Sequence, residues 1–245
     1  MMPSLNSLSA ETVGSERLPF ALYKREQAEL ARRRLIPTTL FYSAYFLIIV
    51  VLAFRSRHPA IAAFFLAAGV VNWTLVEYLF HRYVLHRHFA DGKGFIRKFA
   101  HRRLDPLHFE HHERPWDAFH ITGMIKDLLP LFFVAAPLSF IGPIYTLPIL
   151  LAATVEGYIC EEWVHYTIHF CKIRNPYFRY VKRFHLYHHS PKGFDRGYGI
   201  TGGFWDFVFG TRYPEPVRRR LFGRIQTGRN EAAKGSDLPI SQAAF

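Results

Sequence analysis

"PAIAAFFLAAGVVNWTLVEYLF", residues 59–80, carries Glu77 as its only charge and is followed at once by "HRYVLH", which holds His81 and His86. A hydrocarbon core takes about 20 apolar residues per helix, so this block reads as a membrane span ending in two histidines. Upstream, "TTLFYSAYFLIIVVLAF" (38–54) is uncharged and reads as another span. Downstream, blocks 128–145 and 146–160 are apolar but broken by Pro130, Pro137, Pro143 and Pro148. Each is marginal alone; together they read as a hairpin turning near Gly142-Pro143. The expected fold is all-α, with four transmembrane helices in two hairpins under a helical cap on the cytoplasmic side.

Charge gives the orientation. The chain carries a formal charge of +12 and is half hydrophobic, with 24 Phe and 13 Tyr. A basic balance alone would suit nucleic acid, an anionic membrane surface or positive-inside topology; the apolar blocks select the last, and no nucleic-acid partner is expected. "YKREQAELARRR" (23–34), the loop 81–126 and "RRR" (218–220) are rich in Lys and Arg, whereas the turn after residue 54 has only Arg55 and Arg57, and residues 142–143 have none. The positive-inside rule then puts both termini and the middle loop in the cytoplasm, as four spans require. Residues 1–34 hold no apolar run of a cleaved signal and are expected to be a flexible polar segment. Residues 35–213 form the membrane domain, and 214–245 are expected to be a flexible tail. Cys160 and Cys171 suggest no disulfide framework.

Of 14 histidines, ten fall into four groups: His81 and His86; His108, His111 and His112; His165 and His169; His185, His188 and His189. All four groups lie at or just past the cytoplasmic ends of the expected spans. Residues three and four apart share a helical face, so His165 with His169, and His108 with His111 or His112, can bind one ion. His81 and His86, five apart, diverge on a regular helix; they serve different metals, or the helix opens there. Imidazole suits Fe, Zn, Cu and Ni, and ten exceed the needs of one ion, so two close metal ions are expected. Glu77 and Glu161 each stand four residues before a histidine, His81 and His165, and are candidates to orient those rings; the plainer alternative is a salt bridge to a neighbour such as Arg82. His58, His88, His101 and His120 fit no group.

The boxes His81-x4-His86, His108-x-x-His111-His112, His165-x3-His169 and His185-x-x-His188-His189, followed by "GITGGFWDFVFGT" (199–211), resemble the fatty acid hydroxylase and sterol desaturase superfamily of membrane enzymes over roughly residues 40–213. The order of boxes is most similar to fatty acid 2-hydroxylases. The resemblance implies that all ten histidines ligate two metal ions, iron in catalysis with zinc as the alternative on isolation, and that O2 is the co-substrate. It also implies a fatty acyl substrate drawn from the bilayer. No room for a fused cytochrome b5 domain precedes the first span, so a separate ferredoxin, flavoprotein or cytochrome b5 type protein is expected to supply electrons.

Other outcomes stay open from the residues: a sterol or carotenoid hydroxylase or desaturase, a zinc hydrolase using Glu77 or Glu161 as base, or a metal-binding scaffold or transporter. Substrate position, electron donor and oligomeric state are not encoded legibly. Trp205, Asp206 and Gly210 are expected to pin the last box. Asp117 and Asp195 are candidates either to orient histidines or to cap loops, and Lys192 and Arg196 to bind phosphate or the electron donor. Trp116 and Tyr187 are expected to be interfacial anchors.

Overall fold

Arg32 and Arg33 reach back to Glu29 at 3.1 and 2.9 Å, pairings that support an exposed helix. They lie within α1 (Leu8–Phe54), which carries the basic segment and the 38–54 run on one continuous helix. Pro37 lies inside it and removes one backbone donor. In the next turn the Thr38 and Thr39 hydroxyls bond the carbonyls of Arg34 and Leu35 at 3.1 and 2.9 Å. Residues 8–34, read from the sequence as a flexible segment, are thus the first turns of α1. The structure, a computed structural model, describes residues 8–89, 92–94, 97–98, 100–121, 133, 136–138 and 140–226.

Further helices among the described residues are α2 (Pro59–Phe80), α3 (Asp105–Glu113), α4 (Ala118–Ile121), α5 (Leu147–Phe170), α6 (Pro176–His188), α7 (Phe204–Val208) and α8 (Glu215–Gln226). Two π-helical turns, His81–Leu85 and Ala100–Leu104, interrupt the α-helical pattern. No strand occurs among the described residues, so the all-α class is found. Proline stands in the first turn of α2, α5 and α6, where its missing N–H costs nothing and its fixed φ favours the helix. At α6, Asn175 also accepts from the amides of Tyr177 and Phe178. The expected tail from 214 begins with α8.

Two helical stretches, Pro19–Phe54 and Pro59–Leu85, are long and apolar enough to cross a membrane. Their outer faces are correspondingly apolar: Leu40, Ile48, Val51, Phe64 and Val71 are all exposed, a pattern suited to lipid contact. The block 146–160 is the first part of α5, a longer helix bearing Glu156, Glu161 and Glu162. Most of block 128–145 lies outside the described residues; Gly142, at the expected turn, takes φ +82°.

α5 packs between α1 and α2, and small residues set the spacing. A Cβ on Gly69 of α2 would clash with the Leu150 carbonyl and stand 2.6 Å from Ala153 Cβ; one on Gly157 would stand 2.6 Å from Trp73 Cγ. Close approach lets polar groups bond across helices: Asn72 Nδ2 donates to Thr154 Oγ1 at 3.1 Å, and Trp163 Nε1 to Thr39 Oγ1 at 2.9 Å. Small residues and interhelical hydrogen bonds are the usual means of helix association in lipid. The polar end of α1 holds the loop after α3, since Gln27 Oε1 accepts from the Ala118 amide at 3.0 Å and Arg34 donates to the Ala118 carbonyl at 2.9 Å. Gly69→Val should destabilise the protein by about 1–3 kcal/mol through overpacking, read as a lower thermal midpoint in detergent. Gly223→Ala in α8, where an added Cβ would meet nothing within 4 Å, should hold or slightly raise the midpoint; equal midpoints for both variants would refute the close α2–α5 contact.

Candidate metal centre

The four histidine groups arrive from four directions: the end of α2, the face of α3, the last turns of α5 and the inner face of α6. They assemble into two sets of five. His81, His86, His108, His112 and His188 form one; His111, His165, His169, His185 and His189 form the other, and within each set the candidate ligand atoms lie within 4.8 Å of one another. The sets adjoin, with the His112 and His189 rings stacked at 4.3 Å.

Each His-x-x-His-His box is therefore divided. Its first and last histidines, four apart, join one set, and the middle one joins the other. On an α-helix the third and fourth residues after a given one point about 100° apart, so one short helix can face two ions. The boxes are used in opposite senses: α3 gives two histidines to the first set and one to the second, and the box at the end of α6 does the reverse.

His81 and His86 would point about 140° apart on an α-helix. Here the chain winds as a π-helical turn, and the His86 amide donates to the His81 carbonyl at 3.1 Å. A bond closing i to i+5 brings residues five apart onto one side. The helix opens, as one of the two sequence readings required, and both histidines enter the same set.

The Nε2 atoms face each other. His185 Nε2 stands 3.1, 3.1 and 2.9 Å from those of His165, His169 and His189. His108 Nε2 is 3.2 and 3.0 Å from those of His81 and His112, His86 Nε2 is 2.9 Å from that of His188, and His165 Nε2 is 3.0 Å from that of His111. An imidazole nitrogen carries at most one proton, so hydrogen bonds cannot satisfy His185 against three neighbours. A shared cation does: nitrogens at right angles on a metal at about 2.0–2.1 Å stand about 2.9 Å apart. The donor set fits two metal ions.

Burial keeps the rings ready to bind. It pushes His86 down to about 3 and His188 to about 4, with the neighbouring His188 adding to the effect at His86, and it holds His108, His111, His185 and His189 well below the ordinary value. Neutral imidazole is the ligating form.

The outward nitrogens show what aims the rings. His81 Nδ1 donates to the Tyr198 carbonyl and His188 Nδ1 to the Arg196 carbonyl, the latter at 2.8 Å. Both acceptors lie on the segment after the last box, which carboxylates fasten. Glu77 accepts from the amides of Ile200 and Thr201 at 2.6 and 3.0 Å and from the Thr201 hydroxyl at 2.6 Å. Asp206 accepts from the amides of Tyr198 and Gly199 at 2.9 and 3.0 Å and from the Thr211 hydroxyl at 2.6 Å. Glu77 thus bonds neither His81 nor Arg82; it holds the loop whose carbonyl holds His81. Glu161 is buried, with no hydrogen bond among the described residues.

Trp205 and Asp206 pin the segment as expected, Trp205 by donating to Thr74 Oγ1 at 3.0 Å, and Gly210 supplies a turn at φ +71°. Asp117 caps the loop, accepting from the Phe119 amide at 2.8 Å. Trp116 packs on Phe20, and Tyr187 on Tyr213. Outside the sets, His101 Nδ1 donates to the Phe89 carbonyl at 2.7 Å, His88 stacks on Phe109 and His58 precedes α2; the side chain of His120 lies outside the described residues. The sequence does not single out Tyr198 or Phe194, whose ring lies 4.5 Å from that of His86, and it suggests a side-chain role for Arg196, which here acts through its carbonyl; the "KGFDRGYG" turn beside the last box is the available signal.

An all-helical chain whose apolar helices end in two buried five-histidine sets is of the histidine-box class. The particular family follows from comparison: residues 66–211 match the fatty acid hydroxylase family, and the chain belongs to it. It is 35% identical over 149 residues to dihydroceramide fatty acyl 2-hydroxylase FAH2 of Arabidopsis thaliana, covering 59% of each chain. It is 32% identical over 170 residues to the ceramide very long chain fatty acid hydroxylase SCS7 of Saccharomyces cerevisiae, covering 65% of this chain and 40% of that one. A solved structure described as full-length scs7p, with only its hydroxylase domain visible, superposes with a TM-score of 0.61 at 28% identity over 72% of this chain and 66% of that chain. The chain thus spans between two fifths and three fifths of the length of these two curated relatives.

Acid should unfold the metal-free protein by a definite route. The imidazoles stay neutral in the fold but take protons near pH 6.5 when unfolded, so the unfolded state binds more protons below that pH. Stability contributed by the neutral rings is present above about pH 6.5 and lost as pH falls toward the folded values. Thermal midpoints of metal-free protein should fall between about pH 7.5 and pH 5; a flat profile would mean that the rings are solvated.

Proposed function

We propose that this chain is an integral-membrane, O2-dependent lipid hydroxylase with a histidine-bound di-iron centre, acting on a fatty acyl chain. The observation that carries the reading is the pair of five-imidazole sets, with His185 Nε2 facing three other ring nitrogens. His81, His86, His108, His112 and His188 would hold one iron, and His111, His165, His169, His185 and His189 the other. A bound iron pair supplies the redox chemistry that activates O2 towards an unactivated C–H bond.

The residues of the chain position and exclude. The Tyr198 and Arg196 carbonyls fix the tautomers of His81 and His188 so that Nε2 faces inward, and Glu77 and Asp206 keep those carbonyls in place. A cavity of about 220 Å³ between α1, α2 and α5, lined by Phe46, Val70, Trp73, Gly157, Val164 and Thr201 among others, runs up to the segment that holds His81. An apolar chain lying there would bring its polar end toward the histidines, and the names of the relatives, fatty acyl and ceramide hydroxylases, agree with such a substrate. The net change inserts one oxygen atom into C–H and releases the other as water, using two electrons from a separate carrier protein and two protons from solvent. Residues 35–213 would form the catalytic domain, with four spans, both termini and the metal site on the cytoplasmic side, a topology that the Lys and Arg distribution favours. A zinc hydrolase with Glu77 as its base is disfavoured because that carboxylate already accepts three hydrogen bonds.

Lipid mass spectrometry of cells making the intact chain, with a supplied reductase system, should show an acyl lipid gaining one oxygen atom in the presence of O2. His188→Ala at matched expression should lose at least ~100-fold of the product, the usual scale for disrupting a metal site. Loss of two hydrogens would make the enzyme a desaturase, and product formation without O2 would overturn the oxygenase reading.

A further inference from the structure

The end of α5 and α6 meet α1 across a second site, which begins one residue past His169. A cavity of about 660 Å³ lies between α1, the segment after α5 and α6, and its wall includes Lys24, Arg25, Lys172, Arg179, Lys182 and Arg183. Among the described residues no carboxylate lines it; the rest of the wall is mainly apolar, including Ala28, Ile173 and Leu186. Among the described residues none of the six cations is ion-paired. Lys182 Nζ donates to the Cys171 carbonyl at 3.1 Å, Arg183 to the Leu221 carbonyl at 3.0 Å, and Lys24 Nζ sits 5.1 Å from the centre of the Trp116 ring.

Elsewhere the chain behaves differently. Arg32 and Arg33 pair with Glu29, Arg114 with Glu110, and Arg218 and Arg219 with Glu215. Six like charges around one concave space repel each other, more strongly beside apolar walls than in open water. Burial also lowers the affinity of Lys182 for its proton. An anion carrying more than one charge relieves the repulsion. The volume is that of a small-molecule site, typically about 300–1,000 Å³, and the mixture of Arg forks and Lys ammoniums is the chemistry that recognises phosphate.

We propose that this cavity binds a polyanionic phosphate group and thereby ties α1 to α6. The site stands whether or not the histidines hold iron. Two sources present that chemistry, a lipid headgroup and a soluble phosphate ester. Lys24 lies 14 residues before Thr38, where the apolar run begins, or about 21 Å along α1. The polar layer of a bilayer is about 5–7 Å deep on each side, so the geometry favours the soluble ester.

The test uses the full chain in phosphatidylcholine nanodiscs and radiolabelled pyrophosphate in equilibrium dialysis. Saturable binding is expected. Arg25→Gln with Arg179→Gln should weaken it at least ~10-fold, the scale of losing charged hydrogen bonds. Arg25→Lys with Arg179→Lys, which preserves charge, should retain most of it. Arg218→Gln with Arg219→Gln, a basic pair that shares Glu215 and does not line the cavity, should leave the affinity within about twofold. Adding phosphatidic acid to the discs distinguishes the sources. Competition in the intact chain that vanishes in the Gln pair assigns a headgroup, and unchanged affinity assigns a soluble ester. No saturable pyrophosphate binding, or equal weakening by both Gln pairs, would overturn the proposal. Binding of polyglutamate without binding of pyrophosphate would also overturn it, and would reassign the surface to an acidic protein.

Discussion

Everything in this chain answers to one constraint: ten imidazole rings are packed Nε2 to Nε2 in a space that hydrogen bonding cannot satisfy. His185 Nε2 meets three ring nitrogens at 2.9–3.1 Å, and several of these rings are held neutral by burial. Lone pairs so directed repel unless a cation sits between them, and they persist only on rigid supports. The supports are helices: α2 ending in a π-helical turn, α3, the end of α5 and α6. Their spacing is set below the site by glycines, with Gly69 against α5 and Gly157 beneath Trp73.

The shell around the rings shows an economy of carboxylates. Glu77 and Asp206 are buried beside the site, yet neither reaches a histidine among the bonds described. They gather the backbone amides of residues 198–201 instead, and the carbonyls of that stretch and its neighbour hold His81 and His188. Six other buried Nδ1 atoms, those of His86, His111, His112, His169, His185 and His189, have no hydrogen-bond partner among the described residues. The fastened histidines therefore fix the frame of the first set, while the second is fixed mainly by the packing of α5 against α6. His165 and His169 lie on the former helix and His185 on the latter, with Ile168 and Val181 in a shared apolar cluster.

Much of this was legible in the sequence, and the exceptions have physical causes. The runs 38–54 and 59–80 announce α1 and α2 because length and lack of charge leave few alternatives. The backward extension of α1 to Leu8 was hidden because a polar, basic segment with a proline at its junction resembles a loop; the Glu29 pairs and threonine hydroxyls overrule that resemblance. The ten histidines and their gathering on one side followed from spacing and charge. Their division did not, because the i, i+4 rule allowed His108 to join either His111 or His112. The His81–His86 pair was ambiguous because a π-helical turn has no hydrophobic period to reveal it. Glu77 was read as a partner for His81, four residues on, because its real partners, Ile200 and Thr201, lie more than 120 residues away. Tyr198 and Arg196 act through backbone carbonyls, which residue identity does not disclose.

In the proposed di-iron centre each His-x-x-His-His box would serve two ions. Metal-to-protein stoichiometry tests it most directly, measured on the purified full chain by elemental analysis after iron supplementation. The account predicts two metal ions per intact chain, one after His81→Ala with His86→Ala, and one after His165→Ala with His169→Ala. A ratio of one in the intact chain, or complete retention of metal in both double variants, would contradict it.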